Sequence, residues 1–250
     1  MGKVWNYLNE IFSKEGVVHL TLIDPDIMKT PPEKASKIAE ISIASGSNAI
    51  MVGGSTAFGI LDETIQKIKS KVDVPVILFP GNVSGLSKYA DAVFFMSLLN
   101  SRNVYWVSGA QALSAPFIKQ WNLEPIPMAY LILEPGATVS FVGDVNLLPR
   151  NKPGVVLSYA LAAQYLGFKL VYLEAGSGAE KAVPIEVVKT VSQNIDIPVV
   201  VGGGINTPEH AKDVIKAGAK LIVQGTFIEK TVLNDGGKSL KKIISAIKET

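Results

Sequence analysis

The 250-residue sequence contains no cysteine and few charged residues, and both shortages narrow the classes of protein it can encode. Without cysteine there is no disulfide framework, no thiolate nucleophile and no zinc site built on cysteine, which fits a reducing compartment. Charged residues make up 18% of the chain, and the net charge of +2 comes from scattered lysines and arginines rather than from a basic run. We therefore expect no nucleic-acid partner.

Long apolar runs and export signals are also missing. Residues 1–10 lack the basic segment and apolar core of a signal peptide. No run of about 18 apolar residues, the length needed to cross a membrane, occurs anywhere in the sequence. These features predict a protein that has no transmembrane segment and stays in the cytoplasm.

What the sequence does contain is eight short, β-branched apolar runs separated by longer amphipathic stretches. Continuous hydrophobicity is typical of parallel strands covered on both faces, and alternation with helical stretches such as Pro32–Ser45 and Pro184–Asn194 indicates parallel pairing. The predicted strands are Val17–Ile23, Ala49–Val52, Val74–Phe79, Ala92–Phe95, Met128–Leu133, Leu170–Leu173, Ile197–Val201 and Leu221–Val223. We predict an α/β fold, a (β/α)8 TIM-type barrel, with residues 1–250 forming a single domain.

Two segments have less regular patterns. Residues 73–95 echo residues 196–222, where a strand, a glycine loop and a helix follow one another, so a helix is also expected after Pro80-Gly81-Asn82. Residues 98–127 show little regular periodicity of hydrophobic residues, and Asn103–Val107 fits either a strand or part of a helix. That segment is open to interpretation as a lid, an irregular helix or an oligomer contact.

The strongest functional signal is a pair of glycine-rich loops after the last two predicted strands. Gly202-Gly203-Gly204 precedes a helix, and Gly225-Thr226 follows the next strand. Bare glycine backbone lets N–H groups approach an anion, and barrel enzymes often build a phosphate site from these two final loops. Tight turns would also explain either motif alone, but the pair at this spacing favours phosphate binding.

A carboxylate ends the sixth predicted strand, in the run Tyr172-Leu173-Glu174-Ala175-Gly176-Ser177-Gly178. At the carboxyl end of a barrel strand, Glu174 faces the active-site mouth and is the first candidate for general base. Tyr172 adds a hydroxyl. The alternative for Glu174 is an ion pair with Lys181.

Acidic residues follow the first predicted strand, and hydroxyls follow the second. Asp24-Pro25-Asp26 ends the first strand, and Gly53-Gly54-Ser55-Thr56 ends the second. Carboxylate oxygens are ligands that Mg²⁺ takes when it also binds substrate phosphates. An Asp-Pro-Asp segment can equally cap a helix without any metal, and the spacing alone does not decide between the two.

Several segments keep the order and spacing of one known family: Thr21–Asp26, Gly53–Thr56, Pro80–Asn82, Phe95–Ser101, Tyr172–Gly178, Gly202–Asn206 and Gly225-Thr226. Together they resemble the geranylgeranylglyceryl phosphate synthases of archaea over nearly the whole chain. A related bacterial branch that makes heptaprenylglyceryl phosphate has lysine where this chain has Leu22. The resemblance is therefore to the archaeal type.

The resemblance implies a Mg²⁺-dependent prenyltransferase that joins geranylgeranyl diphosphate to the 3-hydroxyl of sn-glycerol 1-phosphate, forming the first ether bond of archaeal membrane lipids. It implies that Asp24 and Ser55 hold the metal and that Glu174 and Tyr172 act in catalysis. The residues implied around sn-glycerol 1-phosphate are Tyr172, Leu173, Glu174, Ala175, Gly176, Ser177, Gly178, Gly203, Gly204, Gly225 and Thr226.

Two other functions stay open at this point. A phosphosugar isomerase or cyclase of the same barrel class needs an acid and a base at opposite strand ends, and Asp24 with Glu174 could supply them. A barrel that binds a phosphorylated metabolite without catalysis is the second alternative. A Ser/His/Asp triad has no support, because the only histidines, His19 and His210, fall in a strand and on a helix and are expected to be structural. The apolar segment Leu98–Trp121 leads us to expect a homo-oligomer.

Overall fold

The computed structural model describes residues 2–54 and 60–250, and eight parallel strands within them close into a barrel. Each strand pairs with the next along the chain, and the last pairs with the first. The strands are β1 (Val18–Ile23), β2 (Ala49–Val52), β3 (Val76–Leu78), β4 (Ala92–Leu98), β5 (Glu124–Ile132), β6 (Leu170–Glu174), β7 (Val199–Gly202) and β8 (Leu221–Gln224). The predicted barrel class is confirmed, and a strand lies within or across each of the eight predicted runs.

Ten α-helices connect the strands or flank the barrel in the described residues. They are α1 (Lys3–Glu15), α2 (Pro32–Ala44), α3 (Leu61–Lys69), α4 (Ala110–Gln120), α5 (Ala137–Val142), α6 (Pro153–Tyr165), α7 (Ile185–Ser192), α8 (Pro208–Lys216), α9 (Thr226–Asp235) and α10 (Lys238–Lys248). Among these described helices, none combines the length and the apolar character that a membrane crossing requires.

Side chains along each strand alternate between the barrel interior and the surrounding helices. Leu20, Met51 and Ile77 pack inside the barrel. Their neighbours Ile50 and Val76 pack outward against the helix layer. Because both faces of each strand are buried, the strands appear in the sequence as continuous apolar runs rather than as alternating ones.

The amino-terminal helix α1 closes the end of the barrel at which the strands begin. Trp5 and Leu8 join the same buried cluster as the interior strand residues. Glu124, the first residue of β5, accepts hydrogen bonds from the backbone N–H groups of Val4 (2.7 Å) and Trp5 (2.9 Å). These are N–H groups of the first helical turn, which have no partner within the helix, so the carboxylate both caps and fixes α1.

The helix expected after Pro80-Gly81-Asn82 is not formed, and this prediction is wrong. Residues 79–91, all of them described, contain only one 3-10 turn at Val83–Gly85. Asn82 accepts the N–H of Val83 at 2.7 Å, and Gly85 is a poor helix former, so the local chemistry favours a turn. The outer face of β4 is consequently not covered by a helix from its preceding connection.

The irregular segment between β4 and β5 is helical, so Asn103–Val107 is not a strand. A wide π-type turn at Tyr105–Gly109 continues directly into α4. Side chains bind the carbonyl groups of this turn: Ser97 donates to the Val107 carbonyl at 2.6 Å, and Gln111 donates to that of Trp106 at 3.1 Å. Of the three interpretations of this segment, the irregular helix is the one that the structure shows.

Candidate active site

Two cavities of similar size open at the carboxyl ends of the strands, with volumes of about 270 and about 260 Å³. Because the volumes match, the difference between them lies in their walls. We call the first the apolar cavity and the second the glycine-lined cavity. Five residues belong to both walls, so the cavities meet there: Leu22, Glu174, Ser177, Gly225 and Thr226.

The glycine-lined cavity is built from the loops after β6, β7 and β8. Gly203 and Gly204 have φ values of +81° and +74°, which side chains of other residues rarely adopt, and a Cβ on Gly203 would overlap Oε1 of Glu174. Ser177 and Thr226 hydroxyls lie 2.9 Å apart and join the first and last of these loops. At Gly203 and Gly204 the cavity wall is therefore backbone.

The loop after β7 offers unused donors. Within the described residues, the backbone N–H groups of residues 203–206 donate to no acceptor of the protein. All four residues line the glycine-lined cavity. Unpaired N–H groups at such a wall, just before the first turn of α8, form a site for an anion such as phosphate.

Glu174 stands at the junction of the two cavities. It is 6% exposed, and its Oε1 accepts the N–H of Gly176 at 2.6 Å. Burial raises the pKa of Glu174, while hydrogen bonds from the Tyr172 hydroxyl and from Gly176 oppose that rise. The alternative ion pair with Lys181 is not among the salt bridges of the described residues. Glu174 is therefore a buried carboxylate that faces the cavities.

Three aromatic rings form the floor beneath Glu174. The Tyr172 ring centroid lies 5.0 Å from that of Tyr130 and 5.8 Å from that of Phe79. Burial, followed by the charge of Glu174, raises the pKa of Tyr172 well above its ordinary value. The Tyr172 hydroxyl thus stays protonated and serves as a hydrogen-bond donor to the carboxylate.

Asp24 lines the apolar cavity on the opposite side of the mouth. Burial, then repulsion from Glu229 and from Asp26, raises the pKa of Asp24 to about 6. Glu229 lines the same cavity, and its Oε1 lies 3.5 Å from the backbone nitrogen of Asp24. The two carboxylates form an acidic edge to the cavity.

Asp26 has a separate role. Its Oδ1 accepts the N–H groups of Met28 and Lys29, both at 2.8 Å, and so fixes a turn before α2. Helix α2 itself begins without a side-chain cap. The capping interpretation of the Asp-Pro-Asp segment therefore applies to Asp26 and a turn, whereas Asp24 is left to face the cavity.

The apolar cavity extends from the mouth to the side of β4 that no preceding helix covers. Its wall includes residues of the barrel interior, such as Phe94 and Met96, and outward-facing neighbours, such as Val93. Ser114 and Ile118 of α4 complete this wall. The missing helix and the irregular helix together make room for a long apolar ligand.

The structure brings most of the predicted phosphate-binding residues together. Those that line the glycine-lined cavity are Tyr172, Glu174, Ser177, Gly178, Gly203, Gly204, Gly225 and Thr226. Leu173 and Ala175 are buried against the helix layer and are not among the described residues that line either cavity. Gly176 donates its N–H to Glu174. Ser55 and Thr56 lie outside the described residues.

Several site residues were not predicted from the sequence. Tyr130 lies in a predicted strand, and the alternation of that strand could have placed its side chain inside the barrel. Glu229 and Lys230 follow the Gly225-Thr226 loop on α9, where no motif marks them. Among the described residues that line the two cavities, Lys230 is the only basic one.

Known proteins are similar to this chain over nearly its full length. The model of the PcrB family matches residues 9–249. A protein of Thermococcus sibiricus named geranylgeranylglyceryl phosphate synthase is 54% identical over 252 residues, which is 100% of this chain and 98% of that protein. A protein of Pyrococcus abyssi with the same name is 53% identical over 251 residues, which is 99% of each.

A solved structure is similar over its full length. It is the crystal structure of (S)-3-O-geranylgeranylglyceryl phosphate synthase from Thermoplasma acidophilum in complex with its substrate sn-glycerol-1-phosphate. The TM-score is 0.93, the sequence identity is 47%, and 100% of each chain is covered.

Proposed function

Since this chain belongs to the PcrB family, we infer that it is a geranylgeranylglyceryl phosphate synthase. The enzyme is a prenyltransferase that joins geranylgeranyl diphosphate to the 3-hydroxyl of sn-glycerol 1-phosphate. One observation of the structure carries this function: a cavity lined by unpaired backbone N–H groups meets an apolar cavity at a buried carboxylate. A phosphate and a prenyl chain are the two ligands that such walls fit.

We propose that each substrate occupies one cavity. The phosphate of sn-glycerol 1-phosphate accepts N–H groups of residues 203–206 and a hydroxyl proton from Ser177 or Thr226. The prenyl chain lies along Phe94, Val93 and Ile118. The reacting hydroxyl and the first prenyl carbon then meet at the shared wall beside Glu174.

The reaction needs one proton acceptor at that wall. The glycerol O3 forms a bond to C1 of the prenyl group, the bond from C1 to the diphosphate oxygen breaks, and diphosphate leaves. The proton of the hydroxyl passes to Glu174. Tyr172 and Gly176 donate hydrogen bonds that orient the Glu174 carboxylate and oppose the rise in its pKa that burial causes.

We propose that Asp24 contributes to a Mg²⁺ site, with Ser55 as a second ligand. The donor set fits the ion in one respect: Asp24 and Glu229 place two repelling carboxylates at one cavity edge, and a divalent cation would relieve that repulsion. The described residues contain no group of three His, Cys, Asp or Glu side chains suited to a metal. Mg²⁺ usually takes only one or two carboxylates and completes its shell with waters and substrate phosphates. When bound, Mg²⁺ would offset the charge that develops on the leaving diphosphate.

The proposed function is tested by product formation. Purified protein with Mg²⁺, sn-glycerol 1-phosphate and radiolabelled geranylgeranyl diphosphate should yield a radiolabelled phosphate ester that partitions into organic solvent. No such product, together with turnover of a sugar phosphate, would support the isomerase or cyclase alternative instead. Omission of Mg²⁺ from the same assay tests the metal proposal separately.

We also propose that the enzyme acts in the cytoplasm as a homo-oligomer. The absence of cysteine fits a reducing compartment. Val104, Leu113 and Phe117 are large apolar side chains with exposed fractions of 73%, 58% and 44% along one irregular helical segment, which supports a contact between copies. Light scattering after size-exclusion chromatography should give a mass of at least twice the 26.7 kDa of one chain, and a mass of 26.7 kDa would contradict the oligomer.

A further inference from the structure

A buried polar network lies between the barrel and its helix layer and reaches the wall of the glycine-lined cavity at Gln224 and Ile205. His19 on β1 and Gln224 at the end of β8 are 0% and 3% exposed. The His19 Nε2 lies 2.9 Å from Oε1 of Gln224, and His19 Nδ1 lies 3.0 Å from the hydroxyl of Ser47. Gln224 Nε2 in turn donates to the backbone carbonyl of Ile205 at 2.7 Å. Ile205 belongs to the loop whose N–H groups line the glycine-lined cavity.

The direction of every hydrogen bond in this network is fixed from one end. The Ile205 carbonyl can only accept, so the amide nitrogen of Gln224 must face it and the amide oxygen must face His19. His19 Nε2 must then carry the proton. Burial lowers the pKa of His19 to about 4, which keeps the ring neutral near pH 7. In a neutral ring Nδ1 accepts, and the Ser47 hydroxyl donates to it.

The network also connects the two ends of the barrel. Ser47 lies in the loop before β2, at the amino-terminal end of the strands, whereas Ile205 lies in a loop at the carboxyl-terminal end. Gln224 directly precedes Gly225-Thr226, so its side chain links the β8 loop to the β7 loop. These are the two loops that bind phosphate in the proposed function.

The peptide that joins Ile205 to Asn206 shows what this link controls. The peptide unit is planar and trans, so its N–H points opposite to its carbonyl. Holding the Ile205 carbonyl against Gln224 therefore fixes the direction of the Asn206 N–H, one of the donors that has no protein partner among the described residues. Asn206 is part of the cavity wall.

We propose that His19 and Gln224 are positioning residues that hold the β7 loop in the conformation that receives the phosphate of sn-glycerol 1-phosphate. This inference rests on the proposed function. His19 orients Gln224, and Gln224 holds the Ile205 carbonyl. Gln224 is part of the glycine-lined wall, whereas His19 is not among the described residues that line either cavity. A histidine near the amino-terminal end of β1 thus sets the affinity of the glycine-lined cavity alone.

The test compares binding of the two substrates in variants of the network. Gln224→Met removes the donor facing Ile205 without adding a charge to the cavity wall, and His19→Leu removes the donor facing Gln224. We expect each to raise the Kd of sn-glycerol 1-phosphate, measured by calorimetry, about tenfold, which is the range of one lost hydrogen bond. The KM of geranylgeranyl diphosphate should change less than twofold. His19→Gln, whose amide nitrogen can replace Nε2, should restore binding to within about twofold.

Asn100→Leu serves as the matched control, because it also removes a buried amide without adding a charge. Asn100 is equally buried (2% exposed), and its amide nitrogen donates to the Ile132 carbonyl at 2.9 Å, on the β4 and β5 side of the barrel. It should lower the melting temperature without changing the Kd of sn-glycerol 1-phosphate. An unchanged Kd in folded Gln224→Met and His19→Leu, or the same rise in Kd with Asn100→Leu, would overturn the inference. Absence of sn-glycerol 1-phosphate binding by the unmodified protein would instead overturn the proposed function, and this inference with it.

Discussion

The glycine-lined cavity and the apolar cavity have nearly the same volume but are built in opposite ways. The first is formed by three consecutive loops that follow adjacent strands, with close-packed glycines and hydrogen bonds of defined direction. The second lies beside β4, where residues 79–91 form no covering helix and the π-type turn at Tyr105–Gly109 leaves open space. The comparison shows that a small anion site requires local precision, whereas a long apolar site requires space that several distant segments leave open.

The wall between the cavities has to serve both substrates. Glu174 contacts the glycine-lined loops through Gly176 and faces the apolar cavity as well. Substitutions should therefore fall into three groups: those that affect the shared wall, those that affect the diphosphate side and those that affect the glycerol phosphate side.

The largest effect is expected at the shared wall. Glu174→Gln keeps the size of the side chain but removes the proton acceptor, so we expect kcat to fall by about 10² to 10⁴ while both KM values change little. Steady-state kinetics with each substrate varied in turn measures this. Glu180→Gln, an exposed residue of the same loop, should retain full activity. A Glu174→Gln enzyme within threefold of the unmodified rate would exclude Glu174 as the base.

The next largest effect is expected on the diphosphate side. Asp24→Asn should lower kcat/KM for geranylgeranyl diphosphate about a hundredfold, because the carboxylate that supports the leaving group is neutralised. The Kd of sn-glycerol 1-phosphate should stay the same. A hundredfold rise in the Kd of sn-glycerol 1-phosphate would instead show that Asp24 affects binding in both cavities.

Asp24 also predicts a pH dependence of stability. Its pKa is raised to about 6, so the folded protein holds this proton more tightly than the unfolded chain, and stability falls as pH rises from about 4 through about 6. Asp24→Asn should therefore melt at a higher temperature than the unmodified protein at pH 7.5, and the difference should vanish near pH 4. Thermal melts at both pH values measure this. An equal difference in melting temperature at pH 7.5 and pH 4 would show that ionised Asp24 does not destabilise the folded protein.

A smaller effect, on the binding of sn-glycerol 1-phosphate alone, is expected in the glycine-lined cavity. Gly203→Ala places a methyl group against Glu174 at a φ of +81°, and the strain of this position should raise the Kd of sn-glycerol 1-phosphate by tenfold or more. Gly167→Ala is the matched control, because its φ of +86° is similar but the added methyl meets nothing within 4 Å. The control should cost stability alone. Equal Kd values for the two variants would contradict the close contact at Gly203.

The smallest effect is expected in the apolar cavity, because its wall is formed by many side chains. Ser114→Phe should narrow the cavity and lower kcat/KM for the C20 diphosphate about tenfold relative to a C10 diphosphate. Leu113→Phe, at the exposed neighbouring position of α4, should leave the preference unchanged. A parallel loss for both chain lengths would show that Ser114 does not limit the length of the chain.

The same contrast explains which features could be predicted from the sequence. Gly203, Glu174 and Asp24 each follow directly on an apolar strand, so local pattern alone places them at the mouth of the barrel. The apolar cavity depends on residues 79–91 not forming a helix and on the distant Ser114 and Ile118 lying beside β4. Local patterns carry no information about such distant contacts. The similarity of residues 73–95 to residues 196–222 led to the incorrect prediction of a helix after Pro80-Gly81-Asn82.

The wall shared by the two cavities also has a consequence for how long the product stays bound. After diphosphate has left, the product carries the glycerol phosphate and the prenyl chain in one molecule. It therefore keeps contacts in both cavities while losing its freedom of movement only once. Each half holds the other near its own site, and a half that detaches rebinds before the molecule escapes. We therefore expect the finished lipid to dissociate more slowly than either substrate, which rapid dilution of each radiolabelled complex would reveal.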